Sequence, residues 1–423
     1  VPLPPGPKKL PLLGNLFDIP SSCEWKTYML WSRKYDSDIL HLNVAGTSVV
    51  VLSSVDVAEA LLDKRSSLYS HRPQLPMLVE LMGWDFHLGN RLHAGDQWRM
   101  HRKLFIQGLD SKASASFRPK QLEAIHRLLG SLLCTPALFK EHTRQCVHTK
   151  TELCNGLKGI VYNALGQIIL SAAYRLSILP VNDPLVELID AVMVKANEAL
   201  VPGRFLVDVI PLLKYVPEWA PGAGFKLFAK EGKRLAKEAL NVPFAEVERR
   251  IAEGSAPCCF TATCIHALQH SPNGVYFDRE MIKATAATMY FSGIDSMTSL
   301  LTGFFLAMLA NPEAQKKAQA EIDRVFGVGC LPDFIHDRDA QLPYVSALIK
   351  ELFRWTCVGP IGVPHYLEVE DQFRGYRIPA NSIVLVNIWR VDLTGLILQA
   401  VYPDPYIFRP ERFSRLCPFS SLF

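Results

Sequence analysis

Hydrophobic and polar positions follow a helical period over long parts of this chain and give way to strand-like patterning near each end. Residues 38–54, DILHLNVAGTSVVVLSS, alternate or run β-branched on both sides of Ala45-Gly46-Thr47, which predicts a hairpin. The next stretch, VDVAEALLDKRSSLYSHRP, turns helical, with Asp56 near its start and Pro73 past its end. Long helical stretches are predicted at about 115–133, 183–200, 222–253 and 280–325, after which GYRIPANSIVLVNIW returns to strand character. No period of 20 to 50 residues repeats, which excludes a solenoid. The fold class expected is mainly α with small β-sheets.

One helical stretch is unusual. Between Lys283 and Glu313 the sequence ATAATMYFSGIDSMTSLLTGFFLAMLANP carries a single charge, Asp295. It is long enough to span a bilayer, but Gly293, three serines, several threonines and an acid make a poor lipid-facing surface, and no flanking positive charge bias supports a span. A helix buried on all sides within a large protein is the better expectation. A lone buried carboxylate is expensive, so Asp295 is expected to be either paired or functional.

Composition narrows the partners. At 423 residues and 49% hydrophobic content the chain can bury a large core. A net charge of +4, dispersed along the sequence, offers no clustered basic stripe, so nucleic acid is set aside. Ten cysteines stand without a C-x-x-C pair, which argues against structural zinc and a disulfide framework and for a reducing, cytosol-facing setting. The opening VPLPPGPKKLPLLGNL, with Pro4, Pro5 and Pro7 around Gly6, reads as a stiff connector or an ordered proline-rich terminus.

Three local constellations carry chemistry. In KELFRW, Glu351 and Arg354 are three apart and share a helix face. Arg412 in FRPERF, about 60 residues on, could close a carboxylate between two guanidiniums and lock a meander of chain onto that helix. In GDQWRMHRKLF, Trp98 and Arg102 are four apart and present an indole N–H and a guanidinium on one face, a pairing suited to an anionic ligand or to an ordinary amphipathic helix.

In this order the stretches resemble the cytochrome P450 family of haem-thiolate monooxygenases, fungal members of the secondary-metabolism and xenobiotic type in particular. PPGP resembles the hinge after a membrane anchor, and WRMHR the helix whose Trp and Arg hold haem propionates. SGID with Ser296 resembles the oxygen-activating helix, ELFR the E-x-x-R element and RPERF its partner. GVPH places His365 where members often carry another propionate contact. The resemblance implies a single cytochrome P450 domain over 1–423, with 1–20 as the proline-rich hinge. It also implies a structural triad of Glu351, Arg354 and Arg412, with Trp98, Arg102 and His365 on haem b. Ser292 and Gly293 would leave room over the iron, and Asp295 with Ser296 would relay protons to bound oxygen.

Three departures stand beside the matches. Residues 146–163 and 391–401 look foreign to the family and read as insertions, in the manner of translated intron. The family places its axial cysteine in F-x-x-G-x-R-x-C-x-G beyond RPERF, and no such pattern occurs in these 423 residues. Cys417 lies four residues after Phe413, lacks Gly and Arg at the required offsets and precedes Pro418, so it is not expected to be the iron ligand. The expected architecture is thus a P450 fold incomplete at its C-terminus, without the haem-ligand loop and the last helix. No metal ligand is assigned.

The activity implied is insertion of oxygen from O2 into an apolar small molecule, with electrons from an NADPH-dependent cytochrome P450 reductase, at the cytosolic face of the endoplasmic reticulum membrane. Substrate walls are expected at Leu81–Phe86, Thr288–Ile294 and Val358–Val363. The segment VPGRFLVDVIPLLKYVPEW is expected to rest on a membrane surface. Without the cysteine pattern, activity of these residues alone is expected to fail. Two readings from other classes need no cysteine: a haem-free scaffold for hydrophobic ligands, and an inactive gene-model product.

Overall fold

The computed structural model describes residues 1–20, 22–90, 95–134, 165–176, 179, 183–201, 203–255, 258–270, 275–333, 341–389 and 404–413. The two foreign-looking stretches, 146–163 and 391–401, and Cys417 lie outside them.

The hairpin forms where the alternation placed it. Strands β1 (Ile39–Val44) and β2 (Thr47–Leu52) pair antiparallel in the register Val44 to Thr47. The two residues between them, Ala45 and Gly46, have φ of 47° and 98°, the doubly left-handed turn whose twist matches that of the flanking strands. Asn43 Oδ1 accepts the Gly46 N–H at 2.9 Å and fixes the turn. β3 (His365–Leu367) and β6 (Ser382–Val386) complete a four-stranded sheet in the order β1-β2-β6-β3, with β2 and β6 parallel. β4 (Asp371–Phe373) and β5 (Tyr376–Ile378) make a separate hairpin. The proline-rich opening is laid against both sheets: Pro5 accepts the His41 N–H of β1 at 3.0 Å and Pro2 the Arg377 N–H of β5 at 2.8 Å.

Ten described helices longer than eight residues surround the sheet: α1 (Glu24–Lys34), α2 (Asp96–Gly108), α3 (Ser111–Cys134), α4 (Leu165–Tyr174), α5 (Pro184–Leu200), α6 (Gly224–Ala252), α7 (Phe260–His270), α8 (Arg279–Ala310), α9 (Pro312–Phe326) and α10 (Pro343–Thr356). The helical stretch expected over 280–325 is two helices, because Pro312 cannot continue the hydrogen bonding of α8 and instead opens α9.

α8 organises the body. Asp278 caps it by accepting the Met281 N–H at 2.7 Å. Residues 282–291 are all buried, and α2, α6, α7 and α10 pack around the helix. A helix this rich in hydroxyls can be buried because the hydroxyls turn inward on its own backbone. Thr285, Thr298 and Thr302 each donate to the carbonyl four residues back, at 2.7–2.8 Å. Length and apolarity would let α8 cross a membrane, yet its first half belongs to the main core, with Ile282, Tyr290 and Ile294 at 0–1% exposure.

A half-buried acid ties the segment between α5 and α6 to the rest. Asp208 Oδ1 accepts the Met77 N–H at 2.8 Å, and burial pushes its carboxyl up to about 6. A raised acid favours its protonated form in the fold. Stability therefore falls as pH rises from about 4 to about 6 and stays lower above that. Asp208→Asn keeps an acceptor without the charge. It is expected to melt higher than wild type at pH 7.5, with the difference closing towards pH 4.5, as followed by circular dichroism. Equal melting at both pH values would contradict the burial cost.

Candidate functional site

The middle of α8 changes character after Phe291. Ser292, Ser296, Met297 and Ser299 are exposed within a helix whose preceding turns are buried on every side. Ser296 Oγ donates to the Ser292 carbonyl at 3.2 Å, and Asp295, half-buried, accepts the Asn197 side-chain N–H of α5 at 3.1 Å. The lone acid is thus hydrogen-bonded to a neighbouring helix by an amide and pairs with no cation among the described residues. Gly293 faces elsewhere. A Cβ built on it would come 2.9 Å from Ile169 Cδ1 of α4, so its missing side chain lets two helices approach.

α2 crosses α8 and carries the ring and guanidinium pair. The Arg102 guanidinium lies over the Trp98 ring, 5.1 Å from its centroid, which is a favourable cation–π distance. Arg102 is exposed and pairs with no carboxylate among the described residues. His365, at the start of β3, donates from Nδ1 to the Tyr69 carbonyl at 2.7 Å, which orients its ring. Arg72 was not foreseen. It donates to the carbonyls of Val363 and Pro364 at 2.9 and 2.8 Å, beside His365, and burial pushes its pKa down. Its local sequence, HRP, contains nothing that distinguishes it from a surface arginine.

The lock is assembled. Arg354 donates to Glu351 through Nε at 2.7 Å and Nη2 at 2.8 Å, a two-point contact, while Arg412 Nε lies 3.4 Å from Glu351 Oε1. All three residues are buried. Both guanidiniums also hold the 404–413 meander by its backbone: Arg354 donates to Pro405 O at 2.7 Å and Arg412 to Asp404 O at 2.6 Å. The Arg409 backbone N–H adds a further donor to Glu351 at 2.8 Å, a contact no side-chain pattern could announce.

Of the expected walls, the first two meet. Trp84 and Phe86 stand against Phe291 with ring centroids 5.2 and 6.0 Å apart. The backbone that follows is pinned to α8, with Leu88 N–H donating to Thr288 Oγ1 at 3.3 Å. Trp84 and Phe86 are themselves buried, so this face is a packed wall. The third stretch is held by other contacts, among them the Trp389 N–H to the Pro360 carbonyl at 3.0 Å.

The two pairs are separate groups of donors suited to anionic edges, Trp98 with Arg102 on α2 and Arg72 with His365 at β3. Trp98, Arg102, Arg72 and His365 supply an indole ring, two guanidiniums and an imidazole, and the exposed turn of α8 supplies small hydroxylated residues. The fold that carries these side chains is mainly helical with two small sheets. Residues 4–416 match the family model for Cytochrome P450. Cytochrome P450 monooxygenase 98 of Postia placenta is 39% identical over 417 residues, covering 98% of this chain and 75% of that protein. Cytochrome P450 monooxygenase COX2 of Coprinopsis cinerea is 40% identical over 413 residues, 97% of this chain and 73% of that protein. The tryptamine 4-monooxygenase of Psilocybe cyanescens is 36% identical over 414 residues, 97% of this chain and 76% of that protein. The chain belongs to the cytochrome P450 family, and is an oxidoreductase of the monooxygenase type.

Proposed function

We propose that the protein inserts one oxygen atom into a C–H bond of an apolar small molecule, drawing electrons from an NADPH-dependent reductase. The observation that carries this reading is the exposed hydroxyl-bearing turn of α8, Ser292 to Ser296, with the half-buried Asp295 inside it. Haem, when bound, supplies oxygen activation, and a thiolate ligand would favour O–O cleavage. Trp98, Arg102 and His365, with Arg72, would hold its propionates by hydrogen bond and charge. The Asp295 carboxyl and the Ser296 hydroxyl would hold and pass protons towards the site. Trp84, Phe86 and Phe291 would keep water from the apolar side. Glu351, Arg354 and Arg412 would fix the meander that precedes the family's ligand segment.

The test compares residues 1–423 with the same residues continued through an F-x-x-G-x-R-x-C-x-G segment. Each is supplied with reductase, NADPH, O2 and a panel of apolar compounds. Hydroxylated product is expected only from the second. A haem-free scaffold would bind the compounds and return product from neither.

The proposal extends to a membrane surface, at the cytosolic face of the endoplasmic reticulum. Between α5 and α6 the chain exposes Leu212 at 74% and Trp219 at 84%, and the N-terminal segment exposes Leu12 at 96% and Phe17 at 75%. The two strips are neighbours, since Val209 packs in one cluster with Leu16 and Ile19. Phe205 turns inward instead, against Phe228 with ring centroids 5.1 Å apart. Leu212→Asp with Trp219→Ser is expected to reduce flotation with liposomes several-fold, because apolar area is what drives interfacial binding. Equal flotation of variant and wild type would remove the membrane role.

A further inference from the structure

His87 is a neutral polar group set into the apolar wall of the site, and its bonding fixes which way its proton points. The Gly89 N–H donates to His87 Nδ1 at 3.2 Å, so Nδ1 is the acceptor nitrogen and the proton sits on Nε2. Nε2 lies 3.2 Å from Ser292 Oγ and donates to it. The ring is bracketed by Trp84 and Phe86, with centroids 5.8 and 6.3 Å away. Burial pushes its pKa down to about 4, which keeps it uncharged at neutral pH.

The consequence falls on Ser292. Its hydroxyl already accepts from His87, and its carbonyl already accepts from Ser296. The hydroxyl hydrogen is what remains to be given, and Ser292 is exposed on the turn where α8 opens. One turn earlier Thr288 is engaged by the Leu88 N–H, so the same loop that carries His87 is held in place from below.

We propose that His87 and Ser292 form a specificity-determining pair: His87 orients the Ser292 hydroxyl as a donor into the substrate site, selecting apolar molecules that carry one oxygen acceptor, such as a carbonyl. This rests on the monooxygenase reading for the site's purpose, but it concerns binding and needs no turnover. A pure hydrocarbon leaves the donor unsatisfied, and a carbonyl of the same shape does not. The preference should be about 5- to 10-fold in affinity, the usual net effect of one hydrogen bond.

The test uses two rigid molecules of one shape, 2-adamantanone and 2-methyleneadamantane, which differ as C=O against C=CH2. Dissociation constants are measured by equilibrium dialysis on wild type, Ser292→Ala, His87→Leu and His87→Gln, with the haem content of each sample assayed alongside. Wild type is expected to prefer the ketone about 5- to 10-fold, and Ser292→Ala and His87→Leu to lose that preference and bind the two compounds alike. His87→Gln, which can still donate, is expected to restore part of it. A wild type without ketone preference overturns the proposal, as does a preference that survives in Ser292→Ala. So does an equal weakening of both compounds in His87→Leu, which would make His87 a packing residue. Failure of wild type to hold haem would count against the proposed haem-holding residues alone, since the ketone preference is judged separately.

Discussion

Replacing Glu351 with alanine is expected to destabilise the protein by about 3–5 kcal/mol, a large share of the roughly 5–15 kcal/mol by which ordinary proteins are stable. Glu351 is fully buried, and its carboxylate faces Arg354 on its own helix and Arg412 on the meander. Removing it takes the carboxylate from two buried guanidiniums, which also donate to the carbonyls of Pro405 and Asp404, and it frees the Arg409 N–H as well. The cost comes less from lost attraction than from uncompensated charge in a desolvated place. Glu351→Gln, which keeps an acceptor at the same position, should be intermediate. Thermal melts of the three proteins, read by circular dichroism, are the measurement; an unchanged melting temperature for Glu351→Ala would contradict the lock.

The second large effect is expected on turnover. Asp295→Asn, made in a chain that carries the cysteine segment, should slow substrate oxidation about 100-fold, the scale of a lost positioned acid or base. Its haem content and melting temperature should change little. An asparagine can still accept from Asn197, so the link to α5 survives while the exchangeable carboxyl does not. Single-turnover kinetics beside a haem assay separate the possibilities. Full turnover with collapsed folding would make Asp295 a structural acid that serves only to join two helices.

What could be read from the sequence was what is local. Ala45 and Gly46 announce a two-residue turn, and Glu351 and Arg354 announce a shared helical face, because turn chemistry and helical spacing act over a few residues. α8 was legible as a helix because a run of some 29 residues carries one charge, but the expectation of burial on all sides holds only for its first half, since Ser292, Ser296, Met297, Leu306 and Leu309 are exposed. What was not legible depends on distant partners. Asn197 reaching Asp295, His87 reaching Ser292 and Arg72 settling beside His365 join residues 98, 205 and about 290 positions apart. Gly293 shows a subtler gap. Its place in SGID suggested room at the site, while Ile169 gives its missing side chain a packing use that only the neighbouring helix reveals.

The membrane-facing segment divides along the same line. Its apolar content is plain in the sequence, but which of those side chains turn inward depends on α6, where Phe228 takes Phe205. Trp219 and Leu212 find no such partner among the described residues and stay exposed.

The central proposal is that Trp98, Arg102 and His365 hold a haem beside which Asp295 and Ser296 handle protons, with an iron ligand other than Cys417. Its most direct test is the reduced carbon monoxide spectrum of residues 1–423 refolded with haem, recorded beside Cys417→Ser. The account predicts a haem–carbon monoxide spectrum without the thiolate signature, identical in the two proteins. A thiolate-type spectrum in wild type that disappears in Cys417→Ser would contradict it and make the segment after Phe413 the ligand loop.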